Sequence, residues 1–306
     1  MTFTINADQP TDTLSNEIKE ACKSTGFLYL TNTGIDSKEV FKISQNFFQD
    51  TSASDKADYR ITTANEGYVN FGDELLDPSQ PDKDLKEAFN FGVKSAFVDN
   101  SQSLPETFKG NNYQTLKEFS TNCYNLGIKL LHAFALSLDL ESDYFTKFHS
   151  SSAPNSSTFR MLYYPPVEAT TSNGSLRAGA HSDYGSLTFL FQNSEISGLQ
   201  ILKDGIWEDV KPVPNAVLVN IGDIMEFWTG GQFKSTTHRV VKPKMTEQSK
   251  PRQSLAYFFH PDDDAIVNAL DTTVESIKGL STETSLTAYE YLHQRLRATY
   301  TSRKDV

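Results

Sequence analysis

Residues 179–192 read GAHSDYGSLTFLFQ: a histidine and an aspartate two apart, then an apolar run rich in β-branched and aromatic side chains. In an extended chain alternate side chains share a face, so His181 and Asp183 point one way and Ser182 the other. The run that follows predicts a buried strand. Taken alone, a histidine and an acid at a strand entrance are more often a polar turn than a ligand pair, so the stretch takes its meaning from what surrounds it.

Around it lie short apolar runs separated by turn signals: TFRMLYY (158–164), SLTFLFQ (186–192), GLQILK (198–203), WEDVKP (207–212), AVLVNIG (216–222), STTHRVVKP (235–243) and RQSLAYFFH (252–260). Their regular spacing predicts an antiparallel sandwich or barrel over about residues 155–262. Asp204-Gly205 is a hairpin signal and Gly230-Gly231 a tight reversal, while Gly222-Asp223 reads as a turn between strands, without chemistry. Upstream, Leu14, Ile18 and Cys22 recur at helical spacing, GFLYL is a short strand, and Val40, Ile43 and Phe47 recur helically again. Residues 51–110 are polar with aromatic islands at 68–71 and 89–91, which predicts a long ordered excursion over another layer. A long helix is expected over 113–139, and Thr287 to Glu290 reads as a capping box opening a last helix. The expected division is an N-terminal α/β segment, 1–110, packed on a part, 111–306, that holds the long helix, the β core and the last helix. The fold class expected is mainly β with flanking helices.

The 306-residue chain carries a net charge of −11 and a pI near 5.0, which argues against nucleic acid or an anionic membrane as partner and for a small soluble substrate. Cys22 and Cys123 form no C-x-x-C pattern, no window approaches a membrane span, and the N-terminus lacks a secretory pattern. A cytoplasmic location follows as an expectation, and the sequence sets no oligomeric state.

A third donor stands in STTHRVV, where His238 also opens an apolar strand. Two imidazoles and one carboxylate on one side of a metal leave adjacent positions open, the facial arrangement of non-haem Fe(II) oxygenases. On Arg252-Gln253-Ser254, the guanidinium and the hydroxyl share a face. That pair suits a carboxylate held bidentately, with Tyr164 as an extra hydroxyl donor.

These residues, with NIGDIMEFWTGGQFKSTTHRV, RQSLAYFFHP, IKEACKSTGFLYLTNTGI, DLKEAFNFG, LYYPP and the terminal EYLHQRLRATY, resemble the isopenicillin N synthase-like group of 2-oxoglutarate/Fe(II)-dependent dioxygenases, over nearly the whole chain. The resemblance implies a double-stranded β-helix (jelly roll) core, with His181, Asp183 and His238 as catalytic iron ligands. Arg252 and Ser254 would bind the distal carboxylate of 2-oxoglutarate. The implied activity is that of an oxidoreductase that oxidises, by hydroxylation as the first expectation, a small organic molecule with O2, releasing succinate and CO2, with ascorbate as a candidate reductant. Two readings share these residues: an iron-dependent oxidase of the same fold that does not use 2-oxoglutarate, and a non-catalytic small-molecule-binding jelly-roll protein. Where the family often carries Asn two residues before the tyrosine, this chain has Leu162, so one co-substrate hydrogen bond is expected to be absent or replaced. Thr33 stands where the family often has His, a position expected to be remote from iron.

Tyr68, Phe91, Phe258 and His260 are the candidate substrate-pocket residues, the first two because the excursion can cover the β core, the last two because the far end of their strand can line a cavity. His132, His149 and His293 read as ordinary core or surface histidines. Asp262-Asp263-Asp264 reads as a solvated turn, since adjacent carboxylates alternate in direction.

Overall fold

The computed structural model describes residues 3–80, 82–97, 103–166, 176–193, 198–242, 250–270, 276–281, 283 and 285–300; Pro243, the last residue of the expected STTHRVVKP strand, lies outside them. In chain order the elements are β1 (Phe3–Asn6), α1 (Thr11–Ser24), β2 (Phe27–Thr31), α2 (Lys38–Asp50), α3 (Ala53–Ala57), β3 (Gly67–Val69), β4 (Glu87–Gly92), α4 (Val93–Ala96), α5 (Asn111–Ser137), β5 (Thr158–Tyr164), β6 (Ala178–His181), β7 (Leu187–Gln192), β8 (Leu199–Lys203), β9 (Ile206–Asp209), β10 (Val217–Ile221), α6 (Asp223–Trp228), β11 (His238–Val240), β12 (Arg252–Phe259), β13 (Ser276–Ile277), β14 (Leu280–Ser281) and α7 (Ala288–Tyr300).

Eight strands form a major sheet in the order β1-β2-β10-β7-β12-β5-β4-β3, and four form a minor sheet in the order β6-β11-β8-β9. Period-2 alternation gives the major sheet two different faces. On β12, Leu255, Tyr257 and Phe259 join one buried cluster with the helices, while Ala256 and Phe258 belong to a second cluster with Leu199, Ile201 and Val240 of the minor sheet. On β5, Phe159, Met161 and Tyr163 take the helix side, and Leu162 and Tyr164 the side of the minor sheet. The chain is thus mainly β, with helices on one face of the major sheet and the minor sheet on the other.

The helix side is tightly packed. On α5, Leu116, Phe119, Cys123, Leu126, Leu130 and Phe134 are buried, and the Phe119 ring lies 5.0 Å from both Phe159 and Phe191. At Gly127 the helix comes so close to the sheet that an added Cβ would sit 2.6 Å from the Phe259 ring. Local signals at the ends of elements also take the expected form. Asp204 and Gly205, both at positive φ, turn β8 into β9. The amide of Thr287 donates to Glu290 Oε2 at 2.9 Å and that of Glu290 to Thr287 Oγ1 at 3.1 Å, a reciprocal capping box at the start of α7.

Three expectations are corrected. The 51–110 excursion lies over another layer only in part: β4 pairs with β5 and β3 with β4, which widens the major sheet, while Asp84 accepts from the Gly179 amide on β6 of the minor sheet and the Leu85 amide donates to the Leu176 carbonyl. Gly222-Asp223 is no inter-strand turn; it opens α6, and Gly230-Gly231 closes that helix through bonds from the Gly230 and Gly231 amides to the Phe227 and Glu226 carbonyls. Every residue of α6 is buried, and a six-residue helix buried on all sides shows no amphipathic period by which to recognise it. Asp262 is buried rather than solvated, its carboxylate accepting from the Ser150 amide.

Gly222 meets a close approach as well. A Cβ there would stand 2.1 Å from the Gly185 carbonyl oxygen, which is backbone and has nowhere to move. Gly222→Ala is therefore expected to lower stability by at least the ~1–3 kcal/mol of ordinary overpacking, read as a drop in the urea midpoint at unchanged slope.

Candidate active site

β6 ends at His181 and β11 begins at His238, and the two residues are direct partners in an antiparallel pair. Their rings lie 4.3 Å apart. His181 Nδ1 is 2.7 Å from the Gly179 carbonyl and His238 Nδ1 is 3.1 Å from the Thr236 carbonyl. A carbonyl only accepts, so each Nδ1 carries a proton and each Nε2 keeps its lone pair. Both Nε2 atoms face Asp183 Oδ1, at 3.8 and 3.7 Å. Those gaps exceed hydrogen-bond length, so the lone pairs converge without satisfying one another. Asp183 Oδ2 is held by Asn220 Nδ2 on β10 at 2.7 Å.

This is the one cluster among the described residues whose donor atoms, all within 4.8 Å of one another, could hold a metal ion. Its electrostatics suit a cation. Burial, reinforced by His238, pushes His181 down to about 4, leaving it neutral and able to ligate at neutral pH. Burial alone would raise Asp183, but His238, His181 and the Asn220 bond outweigh it and hold the carboxyl below its ordinary value.

The second polar group lies on the same cavity, which measures about 140 Å³ and is lined by His181, Asp183, His238, Tyr164, Arg252 and Ser254 among others. Tyr164 and Arg252 are register partners on β5 and β12, as are Leu162 and Ser254. Arg252 is 2% exposed; its Nη2 donates to Gln192 Oε1 at 3.0 Å and its guanidinium lies 4.8 Å from the Tyr164 ring centroid. Arg252 Nη1 and Ser254 Oγ are buried and make no hydrogen bond. Burying a cationic donor and a hydroxyl unpaired is costly, so the pair fits an anion that completes them. Leu162, opposite Ser254, adds an apolar wall and no donor there.

Phe258 and His260 line the cavity; Tyr68 and Phe91 do not. Tyr68 is buried against Phe47 with its hydroxyl on Glu87, and Phe91 stacks between Phe97 and Phe159. The excursion reaches the cavity through Asn65, Glu74, Leu76 and Lys86 instead. Thr33 lies outside the cavity, its hydroxyl accepting from the Ile35 amide. The sequence reading missed Asn220 and Gln192, which hold Asp183 and Arg252. Asn220 carried a signal: an amide at an inward position of AVLVNIG must find a partner in the core.

Two imidazoles and one carboxylate converging beside a cavity are the donor set used by non-haem Fe(II) oxygenases. Comparison with known proteins supplies the family. A model described as the 2OG-Fe(II) oxygenase superfamily matches residues 155–261, and one described as non-haem dioxygenase in morphine synthesis N-terminal matches residues 3–114. The UPF0676 protein C1494.01 of Schizosaccharomyces pombe is 34% identical, over 96% of this chain and 91% of its own. 1-aminocyclopropane-1-carboxylate oxidase 2 of Malus domestica is 32% identical, over 89% of this chain and 78% of its own. A full-length Neurospora crassa protein, solved in complex with alpha-KG and thymine, superposes with a TM-score of 0.82 at 29% identity, covering 97% of this chain and 96% of that one. The chain belongs to the 2-oxoglutarate/Fe(II)-dependent oxygenases of the isopenicillin N synthase-like family. It is a dioxygenase that uses Fe(II), 2-oxoglutarate and O2, and its core is the double-stranded β-helix of that family.

Two further imidazoles are buried, His260 on the cavity and His149 against Trp228 and Phe259 of the helix-side cluster. His149 lies between the Phe145 carbonyl and the Ser186 hydroxyl, and burial pushes both it and His260 down to about 4. A histidine depressed in the folded state contributes stability that is complete above its unfolded value near 6.5 and is lost as pH falls toward 4. Each ring is expected to withdraw up to ~3 kcal/mol across that window. Urea midpoints of the metal-free protein between pH 7 and 4 should fall steeply, and His149→Gln should flatten the slope.

Proposed function

We propose that His181, Asp183 and His238 hold Fe(II), and that Arg252 and Ser254, with the Tyr164 hydroxyl beside them, take the distal carboxylate of 2-oxoglutarate. The observation that carries this assignment is a pair of polar atoms, Arg252 Nη1 and Ser254 Oγ, buried without partners on the cavity that the three donors share. When bound, Fe(II) supplies the chemistry by which O2 is reduced while 2-oxoglutarate is oxidised to succinate and CO2 and the substrate is hydroxylated. The chain's own part is to orient and to exclude water. Gly179 and Thr236 fix the two imidazole tautomers, Asn220 fixes the carboxylate, and Gln192 fixes the arginine fork. Residues 1–110 are read as a segment packed on this catalytic part, whose cavity they help to close. The buried, unpaired thiols of Cys22 and Cys123 suit work in the cytoplasm.

The primary substrate is a small neutral molecule with hydrogen-bonding groups. Opposite the co-substrate end, the cavity is lined by Glu74, Lys86, Arg160, Phe258 and His260. The charges there are already matched: Arg160 Nη2 lies 2.6 Å from Glu74, Lys86 Nζ 3.1 Å from Glu74 and 2.5 Å from the buried Asp84. Glu74 is held far below the ordinary carboxylate value because the attraction of Arg160 and Lys86 overcomes burial, so its charge persists. His260 is neutral at pH 7. Among the described residues that line this end, each cation already has an anionic partner, so a substrate carboxylate would enter beside Glu74 and Asp183 unmatched, whereas an amide-like group can bond with His260 at no charge cost.

Two measurements check these statements. His181→Ala and Asp183→Ala are expected to lose Fe(II) retention, while Arg252→Ala keeps iron and loses about 2–5 kcal/mol of 2-oxoglutarate binding, read by anaerobic titration. Iron affinity surviving both ligand changes would refute the metal assignment. For the substrate, succinate release is scored on matched pairs, each a carboxylic acid and its primary amide. Amides are expected to outpace their acids, and the reverse order would overturn neutrality while leaving 2-oxoglutarate use intact.

A further inference from the structure

Asp223, the first residue of α6, is fully buried and yet its carboxylate meets five side chains from four separate parts of the chain. Oδ2 accepts from the Ser182 hydroxyl at 3.1 Å and from the Tyr291 hydroxyl at 3.0 Å, with Arg295 at 3.6 Å. Oδ1 accepts from the Ser235 hydroxyl at 2.6 Å and faces Lys278 Nζ at 3.0 Å. Its own amide donates to the Asp183 carbonyl at 2.8 Å, and the next amide, of Ile224, to the Tyr184 carbonyl at 3.3 Å.

These partners fall into two groups. Ser182 stands between His181 and Asp183, and Ser235 three residues before His238, so one carboxylate touches both segments that carry the proposed metal ligands. Tyr291 and Arg295 belong to α7, and Lys278 to the short β13-β14 hairpin. The same helix places Leu292 and Leu296 on the cavity, and Arg295 lies 4.6 Å from the ring centroid of Tyr184, another cavity residue.

We propose that Asp223 is a positioning residue that couples the docking of the C-terminal helix α7 to the geometry of the metal-ligand segments. The proposal rests on the ligand assignment given above. A buried carboxylate cannot be left short of donors without a large desolvation penalty. With α7 seated, Tyr291 and Arg295 satisfy one side of Oδ2 and Ser182 completes it, which holds the backbone between His181 and Asp183. With α7 unseated, Oδ2 loses its helix-borne donors, water enters where Leu292 and Leu296 had closed the cavity, and Ser182 loses a fixed partner. Closure over the substrate and tension on the ligand comb are then one event. Ser182, whose hydroxyl donates to Asp223, is the link.

The test uses the full chain with Co(II) as a spectroscopic stand-in for Fe(II), and hydrogen exchange read on residues 178–186 and on α7. Asp223→Asn is expected to weaken Co(II) binding about 10–100-fold, the usual loss when a residue supporting metal ligands is changed, and to shift the Co(II) absorption band. Tyr291→Phe, which deletes one buried hydroxyl, should speed exchange in α7 and in 178–186 together, with a smaller loss of Co(II) affinity; Tyr289→Ala, on the exposed side of α7, should leave both unchanged. Faster exchange confined to α7, with wild-type Co(II) affinity and band, would make Asp223 a helix anchor and overturn the coupling. If Asp223→Asn does not fold, Tyr291→Phe decides alone. Co(II) binding that survives His181→Ala would instead refute the ligand assignment, and the joint exchange of α7 and 178–186 in the metal-free protein still tests the coupling.

Discussion

The pairing of β6 with β11 is the constraint on which the site depends. It puts His181 directly opposite His238, and because β6 ends there, the chain is free to turn Asp183 back toward both imidazoles. Neither histidine meets the other's need: their Nδ1 protons go to backbone carbonyls and their Nε2 lone pairs converge on the space beside Asp183. A cluster of acceptors facing one another without a proton between them suits a cation that completes it. The arrangement is therefore a consequence of strand register, and a one-residue slip would turn one histidine to the opposite face.

The major sheet does two jobs through its alternation. Its helix-facing residues, Phe159, Phe189, Phe191, Tyr257 and Phe259 among them, form the large apolar cluster that contributes most of the burial. Its other face can then be polar in places. Arg252, Ser254, Arg160 and Asn220 all project from strands whose alternate residues are fixed in that cluster, so they are held rigidly, Arg252 and Ser254 even though each keeps a buried polar atom without a hydrogen bond. The two ends of the cavity differ in charge: one keeps a cation and a hydroxyl open, the other has its cations matched by Glu74 and Asp84. An enzyme that must bind a dicarboxylate and a second molecule in one cavity separates them by such a difference.

Much of this was legible in the chain. The seven expected strands of the core, the Asp204-Gly205 turn, the long helix and the Thr287 capping box all follow from local rules, period 2, period 3.6 and turn chemistry; most stand in the structure with shifts of a residue or two, but β9 ends three residues early, β11 keeps only the three central residues of its expected run, and β6 was not expected as a strand. The Arg-x-Ser comb is also local, since alternation puts both side chains on one face of β12, whereas Asp183 lies past the end of β6 and reaches the imidazoles through the turn of the chain there. The helix α6 was not legible, because DIMEFW is too short and too uniformly buried to show a period. Tyr68 and Phe91 were misplaced for a related reason: an aromatic in a polar excursion looks the same in sequence whether it covers a cavity or fills a core, and the pairing of β4 with β5 put both in the core.

By itself the sequence determined which residue types stand on which face of each strand, and so which side chains could act in pairs. Only the tertiary structure decided which pairs meet. His238 is far from His181 along the chain, Gln192 from Arg252, and Asp223 from Tyr291, and no periodicity links them. Strand register and helix docking bring these partners together because burying apolar faces leaves few ways to stack the sheets. Within those few, the buried polar atoms select the arrangement in which each finds a donor, an acceptor or a ligand to complete it.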